Sequence, residues 1–198
     1  YARGIFPMAD PSDGSLGWYS PDPRAVLPLD AVHVPRSLAR TIRSGRFRIT
    51  VDLAFEEVIM ACAAPRVEEP ESWIDDRIVE VFTCLHRLGW GHSVEAWTGD
   101  DLVAGLYGVA VGGAFFGESM FSDPVRGRDG SKVCLVHLVE HLNRCGFRLL
   151  DVQFTTPHLE RFGCIELDRA EFLARLERAV SMGPRWSPPS NYSCESSH

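Results

Sequence analysis

Apolar positions along this 198-residue chain recur at two spacings, one helical and one extended. In "SWIDDRIVEVFTCLHRLG" (72–89) Ile74, Ile78, Phe82 and Leu85 share one helical face. Ser72 is the candidate N-cap with Asp75 three residues on, and Gly89 closes the helix. "SKVCLVHLVEHLNRC" (131–145) repeats the pattern through Leu135, Leu138, Val139 and Leu142, with Ser131 as cap and Gly146 as stop. Shorter helices are predicted from 36 to about 44, over "LAFEEVIMACA" (53–63), near 157–162 and over "EFLARLERAV" (171–180). Alternating or β-branched runs predict strands at "FRITVD" (47–52), "HSVEAW" (92–97), "LVAGLYGVAV" (102–111), "AFFGESMFS" (114–122), "FRLLDVQF" (147–154) and "CIELD" (164–168). Residues 1–30, rich in Pro, Gly, Asp and aromatics, read as an irregular, anchored region. The last stretch, "GPRWSPPSNYSCESSH", reads as a disordered tail.

This order, β-α-α-β-β-β-α-β-α-β with a further helix, resembles the acetyltransferase-type (GNAT-like) α/β fold. The resemblance implies a mixed α+β domain whose splayed central sheet opens a V-shaped cleft between "AFFGESMFS" and "LLDVQF". The expected organisation is a small N-terminal region at 1–34, a catalytic domain at 35–180 and a tail at 181–198. Tyr1 in place of Met suggests a trimmed start.

Composition narrows the function class. A 45% hydrophobic and 24% charged chain can bury a real core, and no apolar run reaches the length of a membrane span. Six cysteines without C-x-x-C spacing read as reduced, mostly core thiols of a cytoplasmic protein, with no metal and no cofactor expected. A net charge of −7 argues against indiscriminate nucleic-acid coating. Yet "PRSLARTIRSGRFR" (35–48) holds five arginines and no acid. Arg36, Arg40 and Arg43 fall on one helical face, with Leu38 and Ile42 elsewhere. Such a face is either a phosphate track or merely a solvated one.

Candidate chemistry gathers at the cleft. Asp151 and Gln153 are two apart in an otherwise apolar strand, so strict alternation projects both from one face, with Leu150, Val152 and Phe154 on the other. Glu118 interrupts a run of glycines and phenylalanines on the facing strand, where a carboxylate without partners is costly. Together they suit positioning an amine and receiving its proton. Two motifs point elsewhere. "HLVEH" (137–141) has the H-x-x-E-H spacing of zinc peptidases, but His137, Glu140, His141 and Arg144 form the polar side of an amphipathic helix. "RGRDGSK" (126–132) precedes a helix as anion loops do, without the glycine pattern of acetyl-coenzyme A binders.

"GIFPM", "WYSPDPRAVLPL", "H-x-PRSLAR", "HSVEAW", "LVAGLYGVAVGGAFFGESMFS", "SK" and "DVQF-x-T-x-HL-x-RFG" together resemble the leucyl/phenylalanyl-tRNA–protein transferase family, from residue 1 to about 176. The resemblance implies transfer of Leu, Phe or Met from aminoacyl-tRNA to acceptor proteins with N-terminal Arg or Lys, marking them for N-degron degradation. It implies no membrane partner. It places Gln153 at the reacting centre, Asp151 orienting it, and Glu118 on the acceptor's amino terminus or basic side chain. Leu106, Phe115, Met120, Leu135 and Leu138 stand where the family lines its amino-acid pocket. Trp73 stands where it stacks the terminal adenosine, with Met8 where some members have Trp. The resemblance also assigns Arg36, Arg40 and Arg43 to the tRNA acceptor stem. The segment "DPVRGRDG" is a few residues longer than in some relatives, and the family's N-terminal portion is incomplete here. The rival readings are a coenzyme A-dependent N-acetyltransferase and a non-catalytic tRNA-binding module.

Overall fold

The computed structural model describes residues 1–10, 12–65, 72–183 and 186–187. Its centre is a seven-stranded mixed sheet in the order β4-β5-β6-β7-β8-β3-β9. These strands are β3 (Arg24–Val26), β4 (Arg48–Val51), β5 (Gly91–Thr98), β6 (Asp101–Val111), β7 (Ala114–Ser122), β8 (Leu149–Gln153) and β9 (Ile165–Leu167). A separate hairpin pairs β1 (Phe6–Ala9) with β2 (Leu16–Tyr19). The N-terminal region expected to be irregular therefore contributes three short strands, one of them inside the main sheet. Pattern reading missed them because three- and four-residue strands carry too little periodicity to register.

Helices cover both faces. On one side α4 (Gly130–Cys145) buries Val133, Leu135, Leu138, Val139 and Leu142 against Val94, Ala96, Leu106 and Phe115, with Leu38 of α1 (Arg36–Arg43) in the same core. On the other side α2 (Phe55–Ala63) and α3 (Asp76–Arg87) pack on Tyr107 and Val109. The same side holds α6 (Arg169–Val180), which covers Phe116 and Leu149. A one-turn helix, α5 (Pro157–Glu160), follows β8. No helix among the described residues is long and apolar enough to cross a membrane.

Two expected caps are displaced. α3 is capped by Asp75, whose carboxylate accepts from the Ile78 amide at 3.0 Å, while Ser72 accepts from Ile74 one turn earlier. α4 is preceded by Asp129 at φ 66°, and the Ser131 amide donates to Ser122 Oγ. Gly146 ends α4 in the left-handed region at φ 81°, as its lack of a Cβ allows. Within the stretch expected as a tail, Trp186 packs on the body. Its ring stacks on His92 at 4.2 Å and its Nε1 donates to Asp52 at 2.8 Å. Residues 184–185 and 188–198 of that stretch, Cys194 included, lie outside the described residues. Of the other cysteines Cys62 and Cys134 are buried, Cys145 and Cys164 half-buried, and Cys84 exposed.

Candidate active site

The cleft expected between the fourth long strand and the strand after the next helix is present. β7 and β8 run parallel and pair only from Ala114 to Phe116 against Leu149 to Asp151. Beyond that point β7 continues without β8, and a cavity of about 350 Å³ opens between them. Its apolar wall comes from Leu106 and Met120, which face each other across β6 and β7, and from Leu135 and Leu138 of α4. Phe115, expected in that wall, does not line the cavity. It faces α4 as Leu106 and Met120 do, but it sits where β7 is still paired with β8, opposite Leu150, fully buried with its ring stacked against Trp186 at 5.5 Å.

Glu118 reaches this cavity through a β-bulge. Tyr107 pairs with Ser119 and Gly108 with Gly117, leaving Glu118 as the extra residue on β7. Glycine is required opposite: a Cβ at Gly108 would lie 2.2 Å from the Phe116 carbonyl oxygen. The bulge turns a carboxylate into an apolar site. Its Oε1 is buried without a hydrogen bond of good geometry, as are the hydroxyls of Tyr1 and Tyr107, although the Tyr1 hydroxyl lies close enough to the carboxyl to favour its charged form. Burial raises the Glu118 carboxyl from its ordinary 4.5 to about 8; the Tyr1 hydroxyl opposes this, the Asp151 charge adds to it, and Arg24 opposes it. The Glu118 carboxyl is therefore harder to ionise here than in water. The same shift makes the folded protein bind an extra proton at Glu118 between its ordinary value and about 8, so this group weakens the fold as pH rises through that window.

A second bulge reshapes β8. Ala25 pairs with Gln153 and Val26 with Asp151, so Val152 is the extra residue. Gln153 then adopts φ 57°, which ends the extended alternation. The expectation that Asp151 and Gln153 share a face is corrected on this point. Leu150, Val152 and Gln153 line the cavity, while Asp151 lies behind them and is 0% exposed. The Gln153 side-chain nitrogen is buried beside the cavity with no partner.

Asp151 instead meets Arg24, a residue the sequence reading passed over. The Arg24 Nε donates to Oδ1 at 2.8 Å and a terminal nitrogen donates to Oδ2 at 2.6 Å. Oδ1 also accepts the Gln153 backbone amide at 3.0 Å. Arg24 is 1% exposed, its remaining terminal nitrogen donates to the Gly4 carbonyl, and its plane is flanked by the Phe6 and Phe172 rings at 4.6 and 4.8 Å. The signal was available: a carboxylate inside "LLDVQF" needs a buried cation, and Arg24 is the cation set against the apolar run "AVLPL".

Next to the main cavity lies a smaller one of about 80 Å³, bounded by Met8, Trp73, Glu118, Gln153 and Phe154 among others. The Asp75 cap fixes the turn that carries Trp73, and Arg77 donates to the Gly14 carbonyl, tying this turn to the hairpin that carries Met8. Arg36, Arg40 and Arg43 are all exposed on α1, and none makes an ion pair among the described residues. A further hollow joins the start of α1 to Lys132, His158 and Arg161, and His158 also borders the main cavity. In the "HLVEH" stretch His141 is buried against Trp186, with the rings 4.3 Å apart, and so is not part of a polar face.

The family model described as "Leucyl/phenylalanyl-tRNA protein transferase" matches residues 26–177, and the model of that family's N-terminal domain matches residues 1–22. The chain belongs to the leucyl/phenylalanyl-tRNA protein transferase family. It is 53% identical over 182 residues to the leucyl/phenylalanyl-tRNA–protein transferase of Paramagnetospirillum magneticum, covering 91% of this chain and 86% of that protein. It is 54% identical over 183 residues to that of Rubrobacter xylanophilus, covering 92% of each. Among solved structures, a GNAT-family acetyltransferase from Desulfovibrio desulfuricans is similar at 17% identity and a TM-score of 0.37, over 52% of this chain and 71% of that one. Within the transferase match, span 26–177 holds Glu118, Asp151, Gln153, Trp73 and the arginine helix, and span 1–22 holds Met8. Arg24 falls between the two spans.

Proposed function

We propose that this chain transfers leucine, phenylalanine or methionine from aminoacyl-tRNA to the α-amino group of a protein that begins with Arg or Lys. The observation that carries this reading is the adjacency of an apolar cavity of about 350 Å³ to the Glu118 carboxyl and the unpartnered Gln153 amide. One site then offers a shape-selective socket for an apolar side chain, a carboxyl that a cationic acceptor can ionise and an amide for the reacting groups. Trp73 and Met8 beside Gln153 suit the terminal adenosine, since an aromatic face stacks any base. Arg36, Arg40 and Arg43 suit acceptor-stem phosphates.

The ester of an aminoacyl-tRNA is already activated, so the reaction needs no covalent enzyme intermediate. The acceptor nitrogen attacks the ester carbonyl carbon, the carbon–oxygen bond to the ribose breaks, and the surplus amine proton ends on the ribose hydroxyl. A free N-terminal amine has an ordinary pKa of about 7.7–8.0, which leaves a usable neutral fraction near pH 7. Most of the acceleration then comes from proximity and orientation. Gln153 contributes a donor to the developing oxyanion and an acceptor to the attacking amine, and Asp151 acts through Gln153 because it lies fully buried behind the cavity wall. Rejection of wrong apolar side chains is modest, because a methylene in such a pocket is worth about 1–3 kcal/mol. The product carries a bulky N-terminal residue that marks it for degradation in the cytoplasm.

Mass spectrometry tests the reading. A peptide beginning with Arg or Lys, incubated with the protein and Leu-tRNA, is expected to gain one leucyl residue. Gain of an acetyl group from acetyl-coenzyme A instead would establish the acetyltransferase reading, and tRNA binding without any gain would establish the binding module.

A second expectation concerns Glu118. A cationic acceptor docking on a carboxyl raised to about 8 favours its ionised form, so binding at pH 7 releases a proton. Calorimetry in buffers of different ionisation enthalpy is expected to report release approaching one proton per peptide, roughly the full linkage of a single site. Glu118→Gln abolishes that release. A wild-type release of zero takes Glu118 away from the acceptor.

A further inference from the structure

We propose that Arg24 is a positioning residue for the transfer reaction, acting on the reacting centre through Asp151 and the backbone of Gln153; this rests on the function proposed above. Gln153 can aim its amide into the cavity only because its backbone adopts φ 57°, a conformation that a side-chain-bearing residue rarely takes and that the surroundings must hold in place. The holding contact is the hydrogen bond from the Gln153 amide to Asp151 Oδ1 at 3.0 Å. That oxygen can serve only if the carboxyl group is held in place. Arg24 holds it with a two-point fork at 2.8 and 2.6 Å.

Arg24 is itself immobilised. Phe6 lies on one ring contact and Phe172 on another, and the Gly4 carbonyl takes a further N–H at 3.2 Å. The Gly4 contact has a second consequence. Gly4 leads directly into β1, which carries Met8 and hence a wall of the smaller cavity, whereas Asp151 and Gln153 belong to β8, which bounds the larger one. One guanidinium therefore also braces the segment leading into β1 against β8. An error of the order of 1 Å in such an arrangement costs about 100-fold in rate. Lysine keeps the charge but not the planar fork, so it is the informative replacement.

The test is a double-mutant cycle on the full chain, with leucyl transfer to an Arg-initiated peptide as the assay. Arg24→Lys is expected to lower kcat about 10- to 100-fold with KM for Leu-tRNA changed less than about 2-fold. In a Gln153→Ala background the same substitution is expected to change kcat less than about 2-fold, because the group through which it acts is gone. Equal losses in both backgrounds, or a loss carried by KM, would overturn the proposal while leaving the proposed function intact. A wild-type chain without transfer overturns both. If Arg24→Lys does not fold, Phe172→Leu removes one aromatic contact with the guanidinium and leaves the ion pair. Its smaller loss of kcat must likewise vanish without the Gln153 side chain.

Discussion

Replacing Asp151 with Asn is expected to cost about 3–5 kcal/mol of stability and to reduce leucyl transfer by about 100-fold or more in the molecules that remain folded. The stability loss follows from the pairing. Arg24 and Asp151 are 1% and 0% exposed, so the neutral amide leaves a guanidinium charge buried without its counter-charge. One amide group must also present its NH2 to a terminal nitrogen of Arg24 that now donates at 2.6 Å, setting donor against donor. Against a total stability of about 5–15 kcal/mol, that loss is large. The activity loss is separable from it. Asn can still offer one oxygen, but the contact that holds Gln153 at φ 57° competes with the needs of Arg24 for the same atom. Gln153→Ala provides the contrast. It removes a side-chain nitrogen that has no protein partner, so it should leave the denaturant midpoint nearly unchanged and still abolish most of kcat. Equilibrium unfolding with single-turnover transfer, run on both variants, checks the pair of expectations. An Asp151→Asn chain as stable as wild type would remove the ion pair from its structural role. Full turnover across pH in that variant would remove Asp151 from the reaction altogether.

The second large effect is expected at α1. Converting Arg36, Arg40 and Arg43 together to Ala should raise KM for aminoacyl-tRNA by at least about 10-fold near physiological salt, with kcat at saturation unchanged. The three side chains are exposed and make no ion pair among the described residues, so the fold loses nothing by their removal. Leu38, which does pack into the core, is untouched. Each phosphate contact contributes a slope of about 0.7–0.9 in log affinity against log salt, so the triple variant should flatten the salt dependence by about two to three. The rest of the chain opposes a polyanion, because its net charge is −7. Affinity measured between low and moderate salt decides the matter, and parallel lines for wild type and variant would end the phosphate-track assignment.

Much of this architecture was legible along the chain. The 3.6-residue period over Ile78 and Phe82 and over Leu135, Leu138 and Leu142 marks the faces that α3 and α4 bury. Strand alternation located β4 to β8, and the positions of "AFFGESMFS" and "LLDVQF" in that order placed the cleft. The oddity of Glu118 in an apolar run was itself a usable signal, because uncompensated carboxylates are rare in such surroundings. Where the reading failed, it failed at details that pattern does not carry. Phe115 was assigned to the pocket by resemblance, yet it sits at the paired end of β7 and β8 with its ring on Trp186. Asp151 was placed beside Gln153 by a period of two, which the bulge at Val152 and the φ of 57° at Gln153 interrupt.

Local periodicity, spacing and motif order thus sufficed for the fold, the family and the identity of Glu118 and Gln153 as the polar groups of the cleft. Folding alone decided which side of β8 Asp151 occupies, that Arg24 is its partner, and that the Glu118 carboxyl is raised to about 8. The reason is distance along the chain. Periodicity is a property of neighbouring residues, whereas Arg24 and Asp151 are 127 positions apart, and they meet only once β3 pairs with β8.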